Sequence, residues 1–384
     1  MYNINNTYSK GVVMTDSVPR KVPKIAMSIV QLVRSGVVFT DIQLKNDAQV
    51  AFKAPRGYQR IGNNVTKEEI AEFAEFASKN WQQRMIDGQG QFDVAFNVDG
   101  DTRLRCNFFY EGSDNDLSVS IRRLSILVPS LEDLGVPPRL RGLLYQNVQG
   151  LILIVGPTGA GKTTTQVALL EDLNKSAPMH IITIEQPIEY KLTSKVSIVT
   201  QREVLQNTPS FSIAMTAAKR QRPDVIMIGE VRDKDTVSSM LEAASSGALV
   251  IAGTHAKNPE DAIESLLNYY SGSELEIKRS QLSSSLLAIN SQRLLPSSDG
   301  TKNVLVYDLM VNSNVIAKSI REGSLANIGQ QTDHNSVKLN DVLAMHVKSG
   351  VIEVEDAFNA CRDELSLSHL IGPRPLKKPV LSGF

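Results

Sequence analysis

Residues Gly156-Pro157-Thr158-Gly159-Ala160-Gly161-Lys162-Thr163 follow the spacing G-x-x-x-x-G-K-S/T, and no other stretch restricts the possible folds of this chain as tightly. Five apolar residues precede them, Leu151-Ile152-Leu153-Ile154-Val155, enough for a strand buried on both faces. The residues that follow, through Lys175, read as a helix with Val167, Leu169, Leu170 and Leu173 available for packing. Strand, glycine loop and helix in that order separate a phosphate-binding loop from a glycine-rich turn with a chance lysine. The glycines let backbone N–H groups turn inward, and the helix N-terminus adds positive potential. Lys162 is then expected to reach the β- and γ-phosphates of ATP and the Thr163 hydroxyl to ligate Mg2+, with Gly156 through Thr164 forming the cradle.

The remaining composition sets bounds. A chain of 384 residues favours two domains, and 42% hydrophobic with 21% charged residues suits a soluble globular protein. No apolar run approaches the roughly 20 residues needed to cross a bilayer. Met1 to Arg20 is polar and has no signal-peptide core, which leads to the expectation of a cytoplasmic protein. Cys106 and Cys361 are too few and too far apart for a zinc site or disulfide framework and read as buried or half-buried thiols. Lys plus Arg and Asp plus Glu number 41 each, so net charge gives no global push toward nucleic acid or an anionic membrane.

In chain order, residues 1–20 read as a flexible arm and 21–128 as a smaller α+β domain. A helix is expected over Val22–Ser35, then strands around Val37–Leu44 and Gln49–Ala54 with a turn at Pro55-Arg56-Gly57. Thr66-Lys67-Glu68-Glu69 has capping-box spacing and opens a helix expected to carry Phe73, Phe76 and Trp81. Phe92, Val94, Phe96 and Val98 alternate with polar residues, as do Leu104, Cys106 and Phe108, and then Val119 and Ile121. With a turn at Asp99-Gly100-Asp101, this is an antiparallel meander with one wet face, whose polar positions include Arg103, Arg105 and Arg122. Residues 129–149, rich in proline and glycine, read as a linker with a short helix near Arg139–Gln146. An α/β domain with a parallel central sheet follows over 150–363, and 364–384 reads as a flexible tail.

Within that α/β domain, apolar strands recur at His180–Glu185, Val225–Ile228 and Leu249–Ala252, alternating with helices. Asp261–Leu287 reads as helical, Val304–Leu309 as a strand and Val315–Glu322 as a helix. Ligands of such sheets sit beyond the carboxyl ends of the strands, and Lys162, Glu185, Glu230 and His255 all fall there. Glu230 stands where a Walker B acid belongs, able to orient the attacking water or to hold Mg2+ through its water shell. Glu185 is a candidate to help hold metal or water, and His255 to sense the γ-phosphate through a hydrogen bond. Nothing matches the guanine-reading N-K-x-D element, and no acceptor-pocket motif supports a kinase.

Taken together, these motifs resemble the secretion and pilus motor ATPases, the type II/IV secretion or PilT-like family. Ile182–Glu189 with Gln201-Arg202-Glu203 resembles the family's acidic box and the element after it. Pro223-Asp224 through Gly229-Glu230-Val231-Arg232-Asp233 resembles its Walker B region, and Gly253-Thr254-His255 its histidine box. The resemblance implies a RecA-like ATPase domain behind a PAS-like N-terminal domain, assembled as a homohexamer. It implies ATP with Mg2+, and gives Arg103, Arg105 and Arg122 a role in neutralising phosphate charge on a neighbouring subunit's site. The chain departs from the pattern at Gln186, Thr216, Arg222 and Ala248. In Val315–Ser324, Ala317, Lys318 and Ser319 also differ from the pilus retraction motors, which tilts the reading toward the DotB-like and TraJ-like ATPases of type IVB secretion and plasmid conjugation. The expected protein is a hexameric ATP hydrolase at the inner face of the bacterial cytoplasmic membrane, bound there through membrane-embedded partners and without direct nucleic-acid binding. The alternatives are a pilus retraction motor, a nucleic-acid translocase, and a switch that binds nucleotide without hydrolysing it.

Overall fold

The computed structural model describes residues 22–98, 101–326, 328–331 and 333–375. The expected N-terminal arm, the Asp99-Gly100 part of the first turn and the last nine residues lie outside that set. The described chain divides into two compact units, one up to Leu127 together with Asp299–Lys302, the other Val128–Ser298 with residues from 303 onward.

In the first unit, strands β1 (Asp41–Leu44), β2 (Ala48–Ala54), β3 (Gly57–Val65), β4 (Gln91–Asn97), β5 (Thr102–Glu111) and β6 (Asp116–Ser125) form one antiparallel sheet in the order β3-β2-β1-β6-β5-β4. Alternation puts Leu104, Cys106 and Phe108 inward and Arg103 and Arg105 outward along β5. Helices Lys24–Arg34 and Lys67–Ala77 contribute Ile29, Leu32, Ile70 and Phe73 to the core that also takes in the sheet's apolar face. Phe108 stacks on Phe92 with ring centroids 4.7 Å apart. Two readings are corrected here. The Thr66-capped helix ends at Ala77, because Ser78 is extended (φ −155°), and Trp81 opens a separate helix to Asp87. β3 was not foreseen: only Val65 of its nine residues is buried, so it carries no apolar alternation to read.

The second unit holds a seven-stranded sheet. Its strands are β7 (Gly150–Val155), β8 (His180–Glu185), β9 (Ile198–Glu203), β10 (Val225–Ile228), β11 (Leu249–Thr254), β12 (Leu286–Pro296) and β13 (Asn303–Val311), ordered β13-β12-β7-β11-β10-β8-β9. All pairs are parallel except the β12–β13 hairpin. β7 is buried at every residue. Leu151, Leu153 and Val155 join one core with helices Phe211–Arg220, Lys234–Ser245 and Pro259–Leu267. Ile152 and Ile154 join another with helix Lys162–Ser176. The fold is α/β with a largely parallel sheet and helices on both faces, as the alternation of elements implies.

Three further readings change. Residues 129–149, read as a linker with one short helix, hold that helix as Pro138–Gln146 and a second, Leu131–Leu134, and Leu131, Leu140, Leu143 and Leu144 are buried against Ile152 and Ile154. The helical stretch read to Leu287 ends at Ser285 in helix Gly272–Ser285, and β12 begins at once. Asn290, Ser291 and Gln292 interrupt the apolar pattern of β12 and hid it. The region read as a tail from 364 starts with helix Glu364–Ile371, which buries Leu367 in a core shared with β13 and helices Leu339–Lys348 and Val354–Ala360.

Candidate functional site

The sheet register builds the site. Ile184, Ile228 and Ala252 lie level on β8, β10 and β11, so Glu185, Gly229 and Gly253 follow in one row at the carboxyl edge. One step beyond the level pair Val155–Thr254 come Gly156 and His255. Glycine is required at two of these positions, Gly253 and Gly156. A Cβ on Gly253 falls 2.2 Å from the Gly229 carbonyl oxygen, and one on Gly156 (φ +154°) falls 2.4 Å from the Gln292 carbonyl oxygen.

Lys162, the first residue of its helix, donates from Nζ to the carbonyl oxygens of Gly156 (2.8 Å) and Pro157 (3.2 Å). The same ammonium lies 3.4 Å from His255 Nδ1, and His255 Nε2 lies 3.0 Å from Glu230 Oε1. Arg232 takes the other carboxylate oxygen, Oε2, at 2.5 Å. A chain of contacts thus runs Lys162–His255–Glu230–Arg232 across the ends of β7, β11 and β10. Partial burial pushes the Glu230 carboxyl upward, but Arg232, His255 and Lys162 outweigh it and hold the group below the usual range. Burial lowers the Lys162 ammonium, with Glu230 and Glu189 opposing.

Glu185 is in a different state. It is 1% exposed, and its Oε1 accepts from the Thr183 hydroxyl (2.7 Å) and the Gln201 amide (3.1 Å). Its Oε2 is buried without a hydrogen-bond partner among the described residues. Burial raises the carboxyl to about 7. The side chain lies against Gly229, whose added Cβ would stand 3.9 Å from Glu185 Cγ, next to Glu230 in sequence.

The loop itself is shaped for an anion. Gly159 and Gly161 have φ of +81° and +80°, and a Cβ on Gly159 meets nothing within 4 Å, so the loop stays open there. Pro157 and Thr158 are exposed, Ala160 is buried, and Thr163 and Thr164 are half-buried in the first helical turn. The Thr164 hydroxyl is 3.2 Å from that of Tyr190. Among the described residues no group of three or more His, Cys, Asp and Glu could hold a metal by itself. An Mg2+ ion bound with nucleotide would be held chiefly by the Thr163 hydroxyl, phosphate oxygens and water. The unpartnered Glu185 oxygen is the donor that such a hydrated ion could use.

Arg103, Arg105 and Arg122 are exposed residues of the first unit's sheet. Arg105 and Arg122 are direct cross-strand neighbours. Arg122 Nε is 3.0 Å from Asp41 Oδ1, and Arg105 Nε is 3.7 Å from Asp93 Oδ1. The sequence singled out none of Gln166, Tyr190 and Gln292, and Gln201 and Arg232 only as members of motifs, although all five touch the site or its scaffold. Gln166 donates to the Ile228 carbonyl (3.1 Å), and Gln201 also ties the Tyr190 carbonyl (2.9 Å). Gln166 left one readable trace, a polar residue on a buried helix face, whereas Gln292 sits in a polar run that masked its strand.

A family model described as type II/IV secretion system protein matches residues 20–362. This chain belongs to that family. A twitching motility protein of Neisseria gonorrhoeae is 32% identical over 354 residues, covering 90% of this chain and 93% of that protein. The crystal structure of the pilus retraction motor PilT with bound ADP is similar with a TM-score of 0.74 at 33% identity, covering 89% of this chain and 99% of that one. The Legionella pneumophila ATPase DotB shares the fold with a TM-score of 0.78 at 19% identity, over 90% of this chain and 97% of that one. The chain is therefore a PilT-like member of a family of ATP-binding secretion and pilus motors.

Proposed function

We propose that this chain hydrolyses ATP and converts the cycle into motion of an envelope-spanning secretion or pilus machine. The observation that carries the proposal is the contact chain from Lys162 through His255 to Glu230, set at adjoining strand ends. On ATP binding, Lys162 exchanges the Gly156 and Pro157 carbonyls for β- and γ-phosphate oxygens, drawing charge away from His255. Glu230, held at both oxygens by His255 and Arg232, orients the water that attacks the γ-phosphorus. Thr163 directly, and Glu230 and Glu185 through water, would hold an Mg2+ ion, which would supply positive charge to neutralise the phosphates. His255 senses the γ-phosphate. Arg103, Arg105 and Arg122 complete the site of a neighbouring subunit in a homohexamer, exchanging their aspartate partners for phosphate. The ring works at the inner face of the bacterial cytoplasmic membrane, held there by membrane-embedded partners.

Two machines fit this motor. The 32–33% identity to a twitching motility protein and to the retraction motor PilT favours pilus retraction. The departures at Ala317, Lys318 and Ser319 favour the type IVB secretion and conjugation branch. Deleting the gene in its host and scoring twitching against conjugation or effector export decides between them. Calorimetric titration of ATP with Mg2+ tests the core of the reading: the wild type binds and Lys162→Ala binds at least tenfold more weakly. No binding by the wild type overturns it. Turnover stimulated severalfold by DNA would instead favour a translocase.

A further inference from the structure

Gln292 is fully buried on β12, the strand beside β7, and its amide lies beneath the glycine loop. Its Nε2 donates both hydrogens, one to the Ala160 carbonyl (2.8 Å) and one to the Thr165 hydroxyl (3.1 Å). Asn290 Nδ2 donates to its Oε1 at 3.0 Å, which fixes the direction of the amide. Its backbone carbonyl also comes so near Gly156 that no side chain fits there. One residue therefore touches the start, the middle and the far side of the loop.

We propose that Gln292, oriented by Asn290, is the positioning residue of the phosphate loop. The proposal rests on the reading that this loop holds nucleotide phosphates. In a planar trans peptide the C=O and N–H point opposite ways. Pinning the Ala160 carbonyl down onto Gln292 turns the Gly161 N–H up, toward the phosphate side. Gly161, at φ +80°, has little steric preference of its own, so without the amide below, this peptide is free to rotate. Nucleotide binding must then order it. The neighbours of Gln292 extend the effect. The Ser291 hydroxyl donates to the Lys257 carbonyl (3.0 Å), two residues beyond His255, and Arg293 Nη1 donates to the Ala360 carbonyl (2.6 Å). The same three residues of β12 thus join the phosphate loop, the histidine segment and the C-terminal helices.

The test is ADP titration into full-length wild type, Gln292→Met and Lys162→Ala, with amide hydrogen exchange of the 156–165 segment on the same samples. Gln292→Met should raise the ADP Kd about tenfold, the scale of one lost buried hydrogen bond, and should speed exchange in that segment. A purely structural role would lower the melting temperature and leave Kd and loop exchange unchanged, and that result overturns the proposal. If Gln292→Met does not fold, Asn290→Leu carries the test: it should raise Kd severalfold, and an unchanged Kd is equally contrary. Failure of the wild type to bind ADP would instead remove the nucleotide reading, and this inference with it.

Discussion

Glu185 and Glu230 are acids at neighbouring strand ends with opposite electrostatic settings. Glu230 is surrounded by cations and stays ionised, whereas burial lifts Glu185 from the ordinary 4.5 to about 7. The raised group has a consequence for stability. Between about pH 4.5 and 7 the folded chain holds a proton on Glu185 that the unfolded chain has released. Stability from this group is therefore full below about pH 4.5 and falls as pH rises to about 7, by roughly 3 kcal/mol. Glu185→Gln keeps an acceptor for Thr183 and Gln201 and removes the titration. Denaturant unfolding across pH 4.5–8 should show the variant gaining on the wild type toward neutral pH, with a flat difference above it. A constant difference across the range would contradict the buried, proton-holding carboxyl.

At the level of elements, legibility followed how locally each signal is written. The P-loop was readable from its glycine and lysine spacing, and β7, β8, β10 and β11 because each is a largely apolar run leading into glycine, acid or histidine. Lys162, Glu185, Glu230 and His255 were readable with them, since parallel strands bring their carboxyl ends to one edge. The scaffold was not. Gln292 meets Ala160 across 132 residues of chain, and β12 hides behind three polar residues that only the folded sheet makes sense of. β3 failed for the opposite reason, being an exposed edge strand with no apolar face. The C-terminal helices were partly misread because their attachments, the core around Leu367 and an ion pair, are distant in sequence. Arg362 joins Asp308 of β13 (2.8 Å) to Glu260 of helix Pro259–Leu267 (2.9 Å). Burial raises the Asp308 carboxyl despite that guanidinium. Arg362→Ala should cost about 2 kcal/mol, a third of the arginine being exposed, and the loss should shrink as pH falls and Asp308 takes up a proton. Thermal melts over a falling pH series check this, and a loss that stays constant throughout the series would refute the pair. In the first unit the Thr66–Glu69 capping box is present on both sides, and Thr66→Ala should lower stability by about 1 kcal/mol in urea unfolding. No measurable change would mean that the helix start is held by packing alone.

For the whole molecule, the family assignment covers nearly the full described chain, and no helix among the described residues is long and apolar enough to cross a membrane. Membrane-embedded partners are part of the proposed function. The hexamer and the role of the meander arginines belong to the same proposal, and particle images with and without ATP should show six-fold rings. The claim on which all of this depends is chemical: a triphosphate held over β7 is cleaved by water that Glu230 orients. Steady-state phosphate release by the wild type and Glu230→Gln, with ATP binding measured on both, tests it most directly. The account predicts that Glu230→Gln still binds ATP while its release rate drops by about a hundredfold or more. Full turnover in that variant would contradict it.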